Sequence, residues 1–278
     1  MSATSPARAA SAPAASAPIA PAAVAPAPAD AEDLRVRVVG SGPPLVYVPG
    51  LDGTGLLFYR QVPLLEHRFR VVTYALRDGA ADMDAMVADL ARVLRQAVPD
   101  GAPAVLVAES FGGTVAMSFA LAHPERVRAL VVLNSFPYYR SQLRLHLAIG
   151  GLGLMPWGAM RLVRRLTAFR LHSRHTHKAE MARFHAFTAG ATRRGYRNRL
   201  RILTRLDLRE RLAELRVPTL FLAADEDHLI PSVEEAARMA ARVPGATTRV
   251  LHGHGHSCFL AHDLDLDAIL RAWPPTQG

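Results

Sequence analysis

Short apolar runs at residues 34–39, 45–48, 71–74, 104–108, 129–133, 219–223 and 248–251 alternate with segments of helical period, and no other feature constrains the fold as strongly. Several of these runs lack polar alternation, so both of their faces must be buried. Between them, Met83, Met86, Val87, Leu90, Val93, Leu94 and Ala97 recur at the spacing of one helix face, behind Asp82 as an N-cap. A second helix should run over 111–122 and stop at His123, because Pro124 disfavours helical geometry in the residue before it. Further helices are expected over 233–242 and 259–273. Strand then helix, repeated, gives a mostly parallel sheet flanked by helices, an α/β fold.

The alternation fails in two places. Residues 1–32 are nearly all Ala, Pro and Ser, with too little apolar bulk to offset the entropy of ordering, and are expected to be a disordered tail. Prolines at 13, 18, 21, 26 and 28 interrupt any apolar stretch that could serve as a secretory signal, so export is not indicated. With no run of about 18 apolar residues to span a membrane, a cytoplasmic protein is expected, and a single cysteine, Cys258, fits a reducing compartment. Residues 138–215 read as helical only, with Gly150, Gly151, Gly153 and Pro156 as breakers. They form an expected helical lid inserted between two parts of the core, 33–137 and 216–278. From 140 to 216 there are 18 Lys and Arg against four acids, which sets a basic surface element on a mildly acidic body.

The stretch Ala108-Glu109-Ser110-Phe111-Gly112-Gly113 holds a lone serine between an apolar run and a helix. A nucleophile on a tight strand-to-helix turn needs small residues two positions either side, where the backbone presses against its neighbours, and Ala108 and Gly112 supply them. The helix that starts at Phe111 also points free N–H groups at Ser110, which would stabilise negative charge developing there. A serine hydroxyl is too weakly acidic to attack a carbonyl unaided, so a histidine base and an orienting acid must follow it in the order Ser, acid, His. Asp225, Glu226 and Asp227 follow one apolar run, and His254 and His256 follow the next, each at the edge where a parallel sheet gathers its functional loops. Pro49-Gly50-Leu51-Asp52-Gly53-Thr54-Gly55 is a glycine-rich loop suited to presenting a backbone donor, so the N–H groups of Leu51 and Phe111 would form an oxyanion hole.

With these four motifs in order, the sequence resembles the serine α/β-hydrolases over roughly residues 34–273. The resemblance implies an α/β-hydrolase fold with no cofactor. It also implies that the acid lies four residues before the proline of Asp-His-Leu-Ile-Pro, selecting Asp227, and that the last histidine of Gly-His-Gly-His, His256, is the base. The loops PGLDGTG and ESFGG are similar to those of esterases and acyltransferases of the phytyl ester synthase type. The nucleophile segment departs from Gly-x-Ser-x-Gly only in beginning with Ala108, which adds one methyl group.

The expected activity is hydrolysis of a carboxylic ester or thioester through an acyl-enzyme on Ser110. One alternative passes the acyl group to an alcohol; another is a hydrolase-fold binding protein without turnover, in which Ser110 is merely a helix N-cap. His252, His254 and His256 alternate as metal ligands would along a strand, but intervening glycines and the triad argue against a metal. His172, His175, His177 and His185 of the lid read as surface residues, and Cys258 as a buried spectator. The lid arginines, interleaved with Leu, Met, Trp157 and Phe, suit an acidic carrier protein or an anionic membrane surface contacted peripherally. Nucleic acid is not expected, because groove-reading and stacking features are lacking.

Overall fold

A computed structural model describes residues 34–160, 162–163, 171 and 175–276; the expected tail at 1–32 lies outside them, as does His172. The apolar runs become seven strands: β1 (Arg37–Val39), β2 (Pro44–Val48), β3 (Arg70–Thr73), β4 (Ala104–Glu109), β5 (Val127–Leu133), β6 (Thr219–Ala224) and β7 (Thr247–Leu251). They form one sheet in the order β1-β3-β2-β4-β5-β6-β7, parallel except for the antiparallel pair of β1 with β3. The central strands β2 and β4 are buried along their whole length, as their unbroken apolar sequences require, whereas the edge strand β1 is exposed.

After a single turn, α1 (Val62–Leu65), the helices of the first half are α2 (Met83–Ala97) and α3 (Phe111–Ala122). The Asp82 side chain accepts from the Ala85 N–H at 2.8 Å, and α2 buries Met86, Leu90, Val93, Leu94 and Ala97 against the sheet. Asp89 on that same face is buried too, and Arg77 Nε meets its carboxylate at 2.9 Å. Helix α3 is apolar all round because it is buried from Phe111 through Ala120, and it ends at His123 as Pro124 demands.

Between β5 and β6 the chain is helical where described: α4 (Gln142–Leu154), α5 (Lys178–Thr188) and α6 (Arg193–Arg205), with single 3-10 turns at Trp157–Ala159 and Arg211–Glu214. Then α7 (Ser232–Ala240) lies between β6 and β7, and α8 (Leu266–Arg271) follows β7. Among the described residues no helix is long and apolar enough to cross a membrane.

The single helix expected over 259–273 is broken. A 3-10 turn covers Cys258–Leu260, Ala261 is extended, and α8 starts afresh behind Asp265, which caps the Ala268 N–H at 2.9 Å. The cause lies far away in sequence. Gln61, fully buried, donates to the carbonyls of Phe259 and Leu264 at 3.1 and 3.0 Å and accepts from the Leu266 N–H at 3.1 Å. One side chain thereby satisfies backbone groups that a continuous helix would otherwise have paired.

Candidate active site

Every sequence-derived site residue sits at the C-terminal edge of the parallel strands, where an open sheet gathers its loops. Ser110 follows β4 at φ 53°, a conformation that costs a non-glycine residue on the order of 1–3 kcal/mol. Its neighbours hold it there. The Ser110 N–H donates to the Leu133 carbonyl of β5 at 2.9 Å, and the Ser135 hydroxyl donates to the Ser110 carbonyl at 2.7 Å.

The two glycines that follow are required by contact. A Cβ at Gly112 would stand 2.2 Å from the Val48 carbonyl oxygen, and one at Gly113 would stand 2.3 Å from Ser135 Oγ. Only a bare backbone lets α3 press this closely on β2 and on the loop after β5. The Ser110 side chain caps no N–H of α3, so the N-cap reading of this serine is not what the geometry displays.

The loops after β6 and β7 meet at Asp227 and His256. His256 Nδ1 lies 2.7 Å from Asp227 Oδ2, with both side chains buried. The other contacts of the Asp227 carboxylate come from the Ser232 hydroxyl at 2.5 Å and the N–H groups of Leu229 and Ile230 at 2.8 and 3.2 Å. Burial alone would raise the Asp227 pKa, but the His256 ring and the bonds from Ser232 and Leu229 outweigh it and hold the carboxyl below its usual range. For His256 the signs reverse: burial disfavours the imidazolium, yet the Asp227 charge and hydrogen bond, with a further contribution from Glu109, leave it easier to protonate than a free histidine.

The rival carboxylate, Asp225, is engaged elsewhere: it receives His252 Nδ1 at 2.8 Å and the Gly253 N–H at 2.7 Å. His254 Nδ1 turns to the His252 carbonyl at 2.9 Å. The three alternating histidines therefore face three separate partners, which is not the convergence a metal needs. Cys258 is buried, and burial first, with Glu109 and Asp227 adding, pushes its thiol well above the usual range, away from thiolate chemistry.

The glycine-rich loop lies beside Ser110: a Cβ at Gly50 would touch the Ser110 Cβ at 3.6 Å. Its turn is closed by the Gly53 N–H donating to the Gly50 carbonyl at 3.0 Å, a bond that does not use the N–H of Leu51 at the corner. The Phe111 N–H, at the first position of α3, has no intrahelical acceptor.

Sequence reasoning passed over three residues. Asn134, at φ 45° and buried at the end of β5, ties the end of β6 to the loop after β7: its Oδ1 accepts from the Ala224 N–H at 2.8 Å, and its Nδ2 donates to the His256 carbonyl at 2.7 Å. Ser135 supports Ser110 as described. Glu109, the residue before Ser110 and only 6% exposed, accepts from the Tyr47 hydroxyl at 2.5 Å. The only signals for these were polar residues at apolar strand ends.

Burial, reinforced by the charge of Asp52 and opposed by the Tyr47 bond and by His256, pushes Glu109 up to about 7. A carboxyl whose folded-state pKa is raised is favoured in its protonated form, so its contribution is fully present below its unfolded value of 4.5 and is lost as pH rises through about 7. That difference is worth on the order of 3 kcal/mol. Glu109→Gln keeps an acceptor for Tyr47 and removes the titration. It is expected to match the wild type in thermal stability near pH 5 and to exceed it by several degrees at pH 8, as thermal melts across pH will read; equal melting curves at both pH values would refute the assignment.

The profile of the Alpha/beta hydrolase family matches residues 45–268 of this chain. A protein named as a carbamate hydrolase, RutD, of Azorhizobium caulinodans is 31% identical over 214 residues, covering 72% of this chain and 79% of that protein. The polyketide synthase ThaQ of Burkholderia thailandensis is 33% identical over 240 residues, 80% of this chain but 11% of that much longer protein. Among solved structures, an esterase from Exiguobacterium antarcticum superposes with a TM-score of 0.77 at 21% identity, covering 86% of this chain and 94% of its own, a likeness of fold.

Proposed function

Because the chain belongs to the alpha/beta hydrolase family, we propose that it is a serine hydrolase that cleaves a carboxylic ester or thioester through an acyl-enzyme. The observation that carries this reading is the buried His256–Asp227 pair at 2.7 Å, on the same sheet edge as a serine held at positive φ. Asp227 fixes the tautomer with the proton on Nδ1 and leaves Nε2 as the base. Ser110 Oγ attacks the carbonyl carbon as His256 takes its proton, and the oxyanion forms against the N–H groups of Leu51 and Phe111. The tetrahedral species expels the alcohol or thiol, which leaves with the proton from His256. Water then attacks the acyl-enzyme by the same route and restores Ser110.

The segment between β5 and β6, over 138–215 and helical where described, acts in this reading as a lid that sets the substrate. Leu143, Leu147, Leu154 and Leu162 are exposed on it among numerous arginines, which supports docking of an acidic carrier protein or peripheral contact with an anionic membrane surface from the cytoplasm.

Hydrolysis of p-nitrophenyl esters of graded acyl length, with a thioester and a carbamate run beside them, tests the reading. The carbamate arm is included because a relative is named for that substrate. Turnover of esters or the thioester, with a burst of p-nitrophenol matching the enzyme concentration where deacylation is slow, is the expected result. Turnover of the carbamate alone moves the substrate class, and silence across every arm overturns the hydrolytic reading.

A further inference from the structure

The basic helical segment is not only a surface. Arg199 of α6 is buried, at 1% exposure, and its guanidinium reaches back into the glycine-rich loop beside the nucleophile. Nη1 donates to the carbonyls of Leu51 and Asp52 at 3.1 and 3.3 Å, while Nη2 donates to the Leu76 carbonyl at 3.0 Å and to Asp78 Oδ1 at 2.6 Å. The fit is tight from both sides. A Cβ at Gly53 would fall 2.3 Å from the guanidinium, and one at Gly195, a turn earlier on α6, would fall 2.0 Å from Asp78 Oδ1.

The same helix end is docked by two further bonds to Asp78 and closed by its own cap. Thr192, its N-cap, accepts from the Gly195 N–H at 3.0 Å and gives its hydroxyl proton to Asp78 Oδ2 at 2.6 Å, and Asn198 Nδ2 donates to the Asp78 carbonyl at 2.8 Å. Asp78 is thus the anchor and Arg199 the arm. A planar fork is the only side chain with enough fixed donors to hold loop carbonyls and a carboxylate together.

We propose that Arg199 is a positioning residue that fixes the Leu51 peptides for oxyanion binding, so that the oxyanion hole is complete only when the helical segment is seated. This rests on the reading of Leu51 as an oxyanion donor. Leu51 is held through its carbonyl, on the peptide next to the one whose N–H would face the substrate; a loop freed at that carbonyl loses the aim of the N–H. The interaction strengthens only as charge develops on the substrate oxygen, so the loss should fall on kcat and not on KM.

The test compares wild type, Arg199→Met, Arg199→Lys and Asp78→Asn in kcat and KM for the preferred ester and in affinity for phenylboronic acid, whose serine adduct is a tetrahedral anion. Leu203→Ala serves as control: Leu203 is buried on the same helix, and its hydrocarbon side chain has no donor with which to hold the loop carbonyls or Asp78. Arg199→Met is expected to lose about 10²-fold in kcat with KM within about threefold, and to weaken boronate binding in proportion. Arg199→Lys should fall between it and wild type, because an ammonium cannot hold all four acceptors. Leu203→Ala should lower the melting temperature with little change in either quantity. If Arg199→Met does not fold, Arg199→Lys and Asp78→Asn carry the comparison.

The proposal is overturned if the Arg199 and Asp78 variants keep wild-type kcat and boronate affinity, or if Leu203→Ala loses as much of both as they do. A wild type that neither hydrolyses any ester nor binds the boronate overturns instead the hydrolytic reading beneath it.

Discussion

Ser110→Ala is expected to lower kcat for ester hydrolysis by about 10⁵–10⁶-fold while leaving the protein folded. The two halves of that expectation have separate grounds. In the proposed reaction the Ser110 hydroxyl is the attacking group, so without it the His256–Asp227 pair has no proton to take. Stability should hardly change, within about 0.5 kcal/mol. The strained backbone at Ser110 is fixed by its main-chain bonds to Leu133 and from Ser135, neither of which involves the side chain, and that side chain caps no N–H of α3. A helix N-cap would behave in the opposite way, costing about 1 kcal/mol when replaced by alanine with activity untouched. Steady-state rates and melting temperatures on one preparation therefore separate the two roles. A variant that stays active would mean that Ser110 is not the nucleophile, and with it the acyl-enzyme falls.

The sheet was legible because its strands are short, apolar and bounded, and because α2 and α3 carry their own start and stop signals in Asp82 and Pro124. The strained turn at Ser110 was legible for a related reason: a serine between small residues at a strand end leaves few other uses for two glycines. What stayed hidden depends on residues distant in sequence. Nothing within 259–273 announces a break, since the break is made by Gln61, about 200 positions earlier. The ionisation of Glu109 depends on Tyr47 from the neighbouring strand and on Asp52 from the loop. Arg199 looks in sequence like one more lid arginine, because local pattern carries no sign of the pocket formed by Leu51, Asp52, Leu76 and Asp78. The choice between Asp225 and Asp227 came from resemblance; the separate partners of the two carboxylates are a fact of the folded chain.

Those partners give the second large expectation. Asp227→Asn should lower kcat by about 10⁴-fold, equivalent to about 5 kcal/mol of transition-state stabilisation, whereas Asp225→Asn should change it by less than about threefold. Asparagine retains the shape but not the charge. It faces the same donors from Ser232, Leu229 and Ile230, and it can turn its amide toward His256 and invert the tautomer. The pH dependence supplies a second readout with a definite sign. In the wild type the base must be neutral, so activity should rise with pH through the His256 pKa, which Asp227 holds above the free-histidine value of 6.5. Without that charge, burial is the dominant influence left, and the residual activity of Asp227→Asn should rise through a midpoint shifted to lower pH. A comparable loss in Asp225→Asn, or an unshifted midpoint in Asp227→Asn, would place the orienting acid elsewhere. A lower kcat with a shifted midpoint would instead tie both effects to one carboxylate, since a merely structural contact could depress the rate but has no reason to move the titration of His256.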